Sequence, residues 1–280
     1  MKVNLRKFYF ITFISIITLS IAIVLSGCSR DKVNKVIIKG STTVLPITMK
    51  ITEEYAKIEK DLVISVEGSG SGNGIKALID GNCDIANSSR EMKPKELKLA
   101  KTKGIDVREI AIAYDMIVPV VHPSNPINNI KMNQLKAIYA GDISNWKDIG
   151  GKDDKAVVVS RDTSSGTYEI WHKKVMKKMD TRKDSLLQAS NGAIITTVSQ
   201  NKRAIGYIGY GYLNNTVKAL RVNGIEGTIE NGKSGKYPIS RKLYIYVNNA
   251  AISEDTKKFI DFILGSQGQK LVKEAGFIPL

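Results

Sequence analysis

Residues 36–55 read VIIKGSTTVLPITMKITEEY, which is a β-branched run, a small polar turn and then an amphipathic pattern. Apolar side chains recur at helical spacing from Val44 to Tyr55, and Pro46 suits a first helical turn, where its missing N–H costs nothing. The stretch therefore predicts a strand, a polar loop and a helix. Because the same order recurs along the chain, the sequence is typical of an α/β fold with a largely parallel sheet.

Four segments rich in Ser, Thr, Gly and Asn stand where a predicted strand gives way to a predicted helix. They are residues 40–43, 68–74, 87–89 and 161–167. Ligands of open α/β sheets bind beyond the carboxyl ends of the strands, so we expect these loops to meet at one site. The free N–H groups of a helix's first turn carry partial positive charge, and small residues let an anion approach them. Arg161 adds a full charge and a planar fork that matches two oxygens of one anion.

Each loop taken alone also fits a purely structural role. Thr42 and Thr43 suit helix N-caps, as does Ser89, and residues 68–74 suit a flexible turn. Arg161 followed by Asp162 fits a structural ion pair. The recurrence of the same chemistry at four strand ends favours an anion site.

Further elements follow from the pattern. It predicts a short helix from Ile75 to Asp80, a helix through Trp171 and Met176, and a glycine-rich hairpin near residues 232–235. A strand at 243–247 and a helix at 255–264 return to the style of the first block. Two lobes joined by two crossing segments fit this order, and such a layout permits hinge closure over a ligand. The predicted lobes are residues 36–113 with 243–280 for lobe I, and 114–242 for lobe II.

The N-terminus has the order of a signal peptide, with a basic start and an uncharged run from Phe8 to Leu25. The tetrapeptide that ends at Cys28 resembles the lipobox of bacterial lipoproteins, in which the chain is cut before the cysteine and that cysteine carries the lipid. We therefore expect a signal peptide at 1–27 and a lipidated tether at 28–35, which anchors the protein on the extracytoplasmic face of the membrane. The alternative is an uncleaved anchor, since roughly 18 apolar residues can cross a bilayer.

Composition narrows the class of protein and the partners that the chain could have. Hydrophobic residues make up 42% of the chain, which is typical of a globular protein with a real core. Cleavage removes three positive charges and no negative ones, so the net charge falls from +15 to +12. The lysines are scattered rather than gathered in one stripe, which argues against nucleic acid as a partner.

The sequence predicts no catalytic residue, no metal site and no cofactor. His122 and His172 show no zinc-ligand spacing, and the glycines of residues 68–74 lack the G-x-G-x-x-G spacing of a dinucleotide-binding loop. After lipidation of Cys28, only Cys83 remains as a thiol, so no intramolecular disulfide is expected. A hydrolase that uses Ser71 or Ser165 is the enzymatic alternative.

The chain resembles the phosphate-binding lipoproteins of bacterial phosphate-specific ABC transporters. The resemblance implies a two-lobed periplasmic-binding-protein fold of type II, in which each lobe is a mixed sheet flanked by helices. It also implies that dehydrated phosphate is held in the interlobe cleft and passed to the permease subunits in the membrane. We expect a monomer. The matching segments keep the family's order from the lipobox almost to the C-terminus, and they are residues 40–46, 68–74, 84–91, 161–167 and 204–207.

The resemblance also implies a set of ligand-binding residues. Some family members have an aspartate that accepts a proton from phosphate at the position where this chain has Ser89, so rejection of sulfate is expected to be weaker. The same fold binding sulfate, molybdate or an organic anion stays open, as does a surface adhesin whose basic face binds anionic polymers. The implied phosphate ligands are Thr42, Thr43, Ser71, Ser89, Arg161, Ser165, Gly166 and Thr167.

Overall fold

The computed structural model describes residues 34–280, so the predicted signal peptide and the lipidated Cys28 lie outside the described residues. None of the helices within 34–280 combines the length and the apolar character that crossing a membrane requires. The strands are β1 (Asn34–Gly40), β2 (Leu62–Gly68), β3 (Ile85–Ser88), β4 (Val107–Val121), β5 (Asn129–Ile130), β6 (Val157–Arg161), β7 (Leu186–Gln188), β8 (Ala204–Gly209), β9 (Lys218–Ala219), β10 (Arg221–Val222) and β11 (Ser240–Asn248). The helices are α1 (Leu45–Tyr55), α2 (Ser71–Ile79), α3 (Pro94–Thr102), α4 (Met132–Ala140), α5 (Gly166–Lys174), α6 (Asn191–Ser199), α7 (Ile229–Lys233), α8 (Glu254–Leu264) and α9 (Ser266–Glu274).

One mixed sheet runs through the described chain in the order β2-β1-β3-β11-β4-β8-β6-β7, with β9 beside β4. β1 and β3 are parallel, as are β6, β7 and β8 where they pair. β11 is antiparallel to both β3 and β4, and β4 is antiparallel to β8. The mixed α/β fold is therefore confirmed, whereas the expectation of a largely parallel sheet is wrong. The central strands β4 and β11 are antiparallel to their neighbours, and the parallel pairs lie towards the two ends of the sheet.

The 15-residue strand β4 connects two hydrophobic cores. Its first part, to Met116, pairs with β11, and its last five residues pair with β8. Three hydrophobic clusters form these cores: two clusters from residues 36–113 and 243–277 make up the first core, and the cluster from 116–239 together with Ile278 is the second. Since β4 and β11 are the strands at which the chain passes from one core to the other, they are the structural link between the two lobes.

Three local expectations were wrong. The helix predicted from Ile75 begins at Ser71, so Ser71 to Gly74 form its first turn instead of a loop. The predicted hairpin near 232–235 is the short helix α7, whose N-cap Thr228 accepts a hydrogen bond from Asn231 N–H at 3.2 Å. The helix predicted through Met176 ends at Lys174. In the first two cases, glycines suggested a loop or a turn where the chain instead forms a helix.

The first turn of α2 packs directly on β1, which makes Gly74 sensitive to substitution. A Cβ at Gly74 would lie 2.5 Å from Gly40 Cα and 2.6 Å from Lys39 O, and both are backbone atoms that cannot move aside alone. We therefore predict that Gly74→Ala lowers the free energy of unfolding by about 1–3 kcal/mol through overpacking. Urea denaturation in phosphate-free buffer measures it.

Gly192→Ala is the matched control, because a Cβ at Gly192 in α6 meets only Ser190 Oγ, at 3.8 Å. An alanine favours a helix over glycine, so this variant should be as stable as the parent or more stable by up to ~1 kcal/mol. Equal losses in the two variants would contradict the close packing of α2 on β1.

Candidate anion-binding site

The structure brings all eight predicted ligand residues together in a buried cluster, which we call the cage. Thr43 Oγ1 lies 3.0 Å from Thr167 Oγ1. Ser71 Oγ lies 3.3 Å from Ser89 Oγ, and a Cβ at Gly166 would lie only 2.4 Å from Ser71 Oγ. Every cage residue is nearly inaccessible to solvent, and the eight are Thr42, Thr43, Ser71, Ser89, Arg161, Ser165, Gly166 and Thr167.

Helix N-termini supply the backbone of the cage. α2 begins at Ser71, α5 begins at Gly166, and Ser165 caps α5 by accepting a hydrogen bond from Tyr168 N–H at 3.2 Å. Because the first-turn N–H groups of a helix have no partner within it, both helices direct partial positive charge to this region. The close approach of Gly166 to Ser71 and Ser89 requires a residue without a side chain.

Arg161 is buried, with only 1% of its surface exposed. It has no carboxylate partner among residues 34–280. Its Nε donates to Gln188 O at 3.1 Å, and its Nη2 donates to Ala189 O at 2.8 Å and to Thr42 Oγ1 at 3.1 Å. Its Nη1 is buried and has no hydrogen-bond partner in the described chain. The ion pair with Asp162 does not form, since that carboxylate accepts from Ser164 N–H at 2.8 Å and from the Ser164 hydroxyl instead.

The sequence reasoning missed three further residues at the cage. Arg241 donates from Nη1 to Thr167 Oγ1 at 3.0 Å, and its Nη2 lies 2.7 Å from Asp115 Oδ2. These two residues are directly opposite each other on β11 and β4. Asn191, the first residue of α6, donates from Nδ2 to Thr43 Oγ1 at 3.2 Å.

A signal for Arg241 was present in the sequence, because it lies two residues from each of the apolar residues Ile239 and Leu243. Period-two alternation places the three on one face of a strand, and all three are buried. A cation at a core position needs a partner, so the pattern indicates a buried ion pair. Asn191 gave a weaker signal, since β7, the strand before it, has only three residues.

The charges of the cage do not balance. Burial lowers the pKa of the Arg161 guanidinium, and the nearby positive charge of Arg241 lowers it further. Burial also raises the pKa of the Asp115 carboxyl, and Arg241 beside it opposes that shift. With Arg241 paired to Asp115, the charge of Arg161 is left over in a desolvated environment, where an unpaired ion is costly. An anion among these donors supplies the missing charge.

Comparison with known proteins gives the family. The family model described as the PBP superfamily domain matches residues 28–267. The phosphate-binding protein PstS of Borreliella burgdorferi is 34% identical over 278 residues, which is 95% of this chain and 98% of that protein. The chain belongs to the PstS family. The PstS protein of Staphylococcus aureus strain USA300 is 36% identical over 252 residues, or 85% of this chain and 76% of its own length.

Solved structures agree with this assignment. A substrate-binding protein of a phosphate ABC transporter from Clostridium perfringens, crystallised with bound phosphate, has a TM-score of 0.83 and 36% identity, covering 88% of this chain and all (100%) of that one. An ABC-type phosphate transport receptor from Vibrio cholerae has a TM-score of 0.73 and 32% identity, with coverage of 88% and 100%. The two-lobed periplasmic-binding-protein fold is thereby confirmed. Because the family consists of transporter binding proteins, not enzymes, the hydrolase alternative is excluded.

The buried pair of Arg241 and Asp115 makes a stability prediction. Arg241→Met removes one partner and leaves the Asp115 carboxylate buried and uncompensated, so we expect the free energy of unfolding to fall by about 3–5 kcal/mol. Urea denaturation in phosphate-free buffer measures this change.

Arg221→Met is the matched control, because the pair of Arg221 with Glu226 is exposed, with side-chain accessibilities of 58% and 62%. An exposed pair contributes about 1 kcal/mol at most. Equal losses of stability in the two variants would contradict the expectation that the buried pair of Arg241 with Asp115 is more costly to break than an exposed pair.

Proposed function

We propose that this protein captures inorganic phosphate outside the cell and delivers it to the permease subunits of an ABC importer. The observation that carries the proposal is the buried Arg161 guanidinium, which has no carboxylate within ion-pairing distance in residues 34–280 and an Nη1 without a partner. Hydroxyls and helix N-termini surround it, so a tetrahedral oxyanion finds donors on several sides. The names of the relatives and the phosphate in the Clostridium perfringens structure favour phosphate among the oxyanions.

The second candidate is the same fold binding sulfate or molybdate. Ser89 favours keeping it, because this residue lies in the cage without the negative charge that repels a fully ionised anion. A surface adhesin that binds anionic polymers has less support, since the unpaired charge of the cage is buried and cannot reach a polymer.

The N-terminal pattern and the two cores complete the proposal. We propose that residues 1–27 are removed, that Cys28 carries a lipid, and that residues 28–35 tether a monomeric body to the outer side of the membrane. The proposed lobes are 36–113 with 243–280, and 114–242, because the two cores draw on these segments apart from Ile278. Release to the permease then requires the lobes to separate.

Contacts between the proposed lobes support a closed cleft. Gly72 N–H donates to Ser164 O at 3.0 Å, close to the cage. At the flank of the cleft, the Lys93 ammonium pairs with the Glu169 carboxylate, and both side chains are partly buried. Among the salt bridges of the described chain, this is the one that joins a residue of lobe I to a residue of lobe II. We propose that it stabilises the closed state.

Calorimetric titration of phosphate-free protein tests the proposed function. Phosphate is expected to bind to the parent protein and to raise its melting temperature, since ligand at a hundred times Kd adds about 2.7 kcal/mol. Arg161→Ala should weaken binding at least about a hundredfold, because the charge-assisted contact that Nη1 can make with the anion is lost. Arg161→Lys should recover only part of it, because an ammonium lacks the planar fork.

Arg203→Ala removes the same charge at an exposed position and serves as the control, with binding expected to be unchanged. A parent protein that ignores phosphate while sulfate or molybdate raises its melting temperature would refute phosphate as the ligand. Equal weakening in Arg161→Ala and Arg203→Ala would refute the cage as the site.

The salt bridge between the lobes makes a kinetic prediction. Glu169→Gln removes the charge of one partner, so the closed state should open more readily and phosphate should dissociate several-fold faster, while association changes little. Stopped-flow displacement of bound phosphate measures the rate. Glu254→Gln is the control, because Glu254 pairs with Lys257 at 2.6 Å on the exposed face of α8. Identical dissociation rates in parent and Glu169→Gln would exclude a role in closure.

A further inference from the structure

The C-terminal segment, residues 276–280, contacts both proposed lobes, so β4 and β11 are not alone in connecting them. Phe277 is buried in the core of the first lobe, whereas Ile278, the next residue, is buried in the core of the second. Ile278 N–H donates to Tyr114 O on β4 at 3.2 Å, and its carbonyl accepts from Tyr114 N–H at 2.8 Å. Because Lys242 of β11 lies on the other side of Tyr114, three chain segments run side by side where the chain passes between the cores.

Further contacts hold this segment from both sides. Gly232 of α7 approaches the Ile278 side chain so closely that a Cβ at this glycine would lie 2.5 Å from Ile278 Cδ1. Leu280 N–H donates to Gln269 Oε1 in α9 at 3.0 Å, and Leu280 O accepts from Lys233 Nζ at 3.3 Å. Since Gln269 belongs to the first proposed lobe and Lys233 to the second, the segment is a third connection between the lobes.

Phe277 joins the C-terminal segment to the single 3₁₀ turn Tyr210–Tyr212, which follows β8. A Cβ at Gly211 would lie only 2.3, 2.4 and 2.7 Å from the Phe277 ring atoms Cε2, Cζ and Cδ2. The ring therefore lies directly on the backbone of the turn, and a side chain does not fit between them. Because the ring is itself packed in the first core, it fixes the position of the turn.

The turn in its place contacts the cage. Tyr212 packs against the cores of both lobes, and its hydroxyl donates to the backbone carbonyl of Thr42. Thr42 belongs to the first proposed lobe and Tyr212 to the second, so this hydrogen bond spans the cleft. Burial raises the pKa of Tyr212 to about 12, so the hydroxyl keeps the proton that it donates near neutral pH.

Thr42 is thereby held from the second lobe at two points. Its carbonyl accepts from Tyr212, and its hydroxyl accepts from Arg161 Nη2 at 3.1 Å. Separation of the lobes breaks the bond to Tyr212, and the Thr42 carbonyl then exchanges a protein donor for water. The bond consequently stabilises the closed arrangement and leaves the open one unaffected.

We infer that Tyr212 is a positioning residue for anion capture, held by the C-terminal segment so that its hydroxyl fixes Thr42 in the closed cleft. The inference rests on the proposed function, because it requires that closure of the lobes retains an anion in the cage. A contact made only in the closed state slows release of the anion and has little effect on its entry. The effect of Tyr212 is therefore expected in the dissociation rate.

Tyr212→Phe tests the hydrogen bond alone, because the aromatic ring and its packing remain. Stopped-flow displacement of bound phosphate should show dissociation about five- to tenfold faster than in the parent, as expected for the loss of one buried hydrogen bond. The association rate should change by less than about twofold. Tyr210→Phe is the control, since Tyr210 contacts Asp115 Oδ1 through its backbone N–H, at 3.0 Å, and both of its rates should match those of the parent.

Gly211→Ala tests the contact with the C-terminal segment. The added methyl group collides with the Phe277 ring, so the turn has to shift, and phosphate should dissociate at least about fivefold faster than from the parent. A leucine at position 277 lacks the ring atoms Cε2 and Cζ. In the double variant Gly211→Ala with Phe277→Leu, the dissociation rate should therefore lie within about twofold of the rate for Phe277→Leu alone.

Gly227→Ala is the matched control for the added methyl group, because a Cβ at Gly227 meets Val118 Cγ2 only at 3.6 Å, and its rates should match those of the parent. Parental dissociation in Tyr212→Phe would overturn the inference, as would equal acceleration by Gly211→Ala with and without the Phe277 ring. A fall in the association rate as large as the rise in dissociation would show general damage to the site and would also overturn it. Absence of phosphate binding in the parent would instead overturn the proposed function.

Discussion

A buried guanidinium with no carboxylate partner among residues 34–280 is the constraint around which this structure is organised. Burying an ion is costly unless other charges or dipoles replace its hydration. Around Arg161 the replacement comes from carbonyl oxygens of the segment after β7 and from the Thr42 hydroxyl. These acceptors hold the guanidinium in place but leave its charge unbalanced. An anion among these donors would restore the charge balance, so the proposed capture of an oxyanion would stabilise the closed arrangement of the lobes.

The two central strands also carry residues that contact the cage. Arg241 and Asp115 face each other across β11 and β4, where the chain passes between the cores. The same Arg241 side chain contacts Thr167 at the start of α5 and the backbone oxygen of Ser89 after β3, at 3.4 Å. A shift of β4 and β11 relative to each other would therefore displace donors on both sides of the cage. A buried ion pair contributes little net stability, so its value here is positional.

The parts of the site that the sequence predicted share a physical origin. Strand ends in an α/β sheet meet at one edge, so the loops at 40–43, 87–89 and 161–167 had to converge once the strands were recognised. Arg241, Asp115 and Asn191 depend instead on pairing between strands far apart in sequence and on the very short β7, which local periodicity does not report. The glycines at 72 and 74 suggested a loop, whereas contacts with β1 and Ser164 hold them in a helical turn. The same limit explains the false hairpin near 232–235.

A buried site has two physical means of distinguishing tetrahedral oxyanions. A carboxylate repels an anion that has no proton to share, and it accepts the proton of one that has. A set of obligatory donors does the opposite, because each additional proton on the ligand meets another proton. Ser89 carries no charge in the cage, and Asn191 and Arg241 supply donors to the neighbouring threonines. The cage therefore presents a ligand with directed hydrogen bonds as well as with the charge of Arg161.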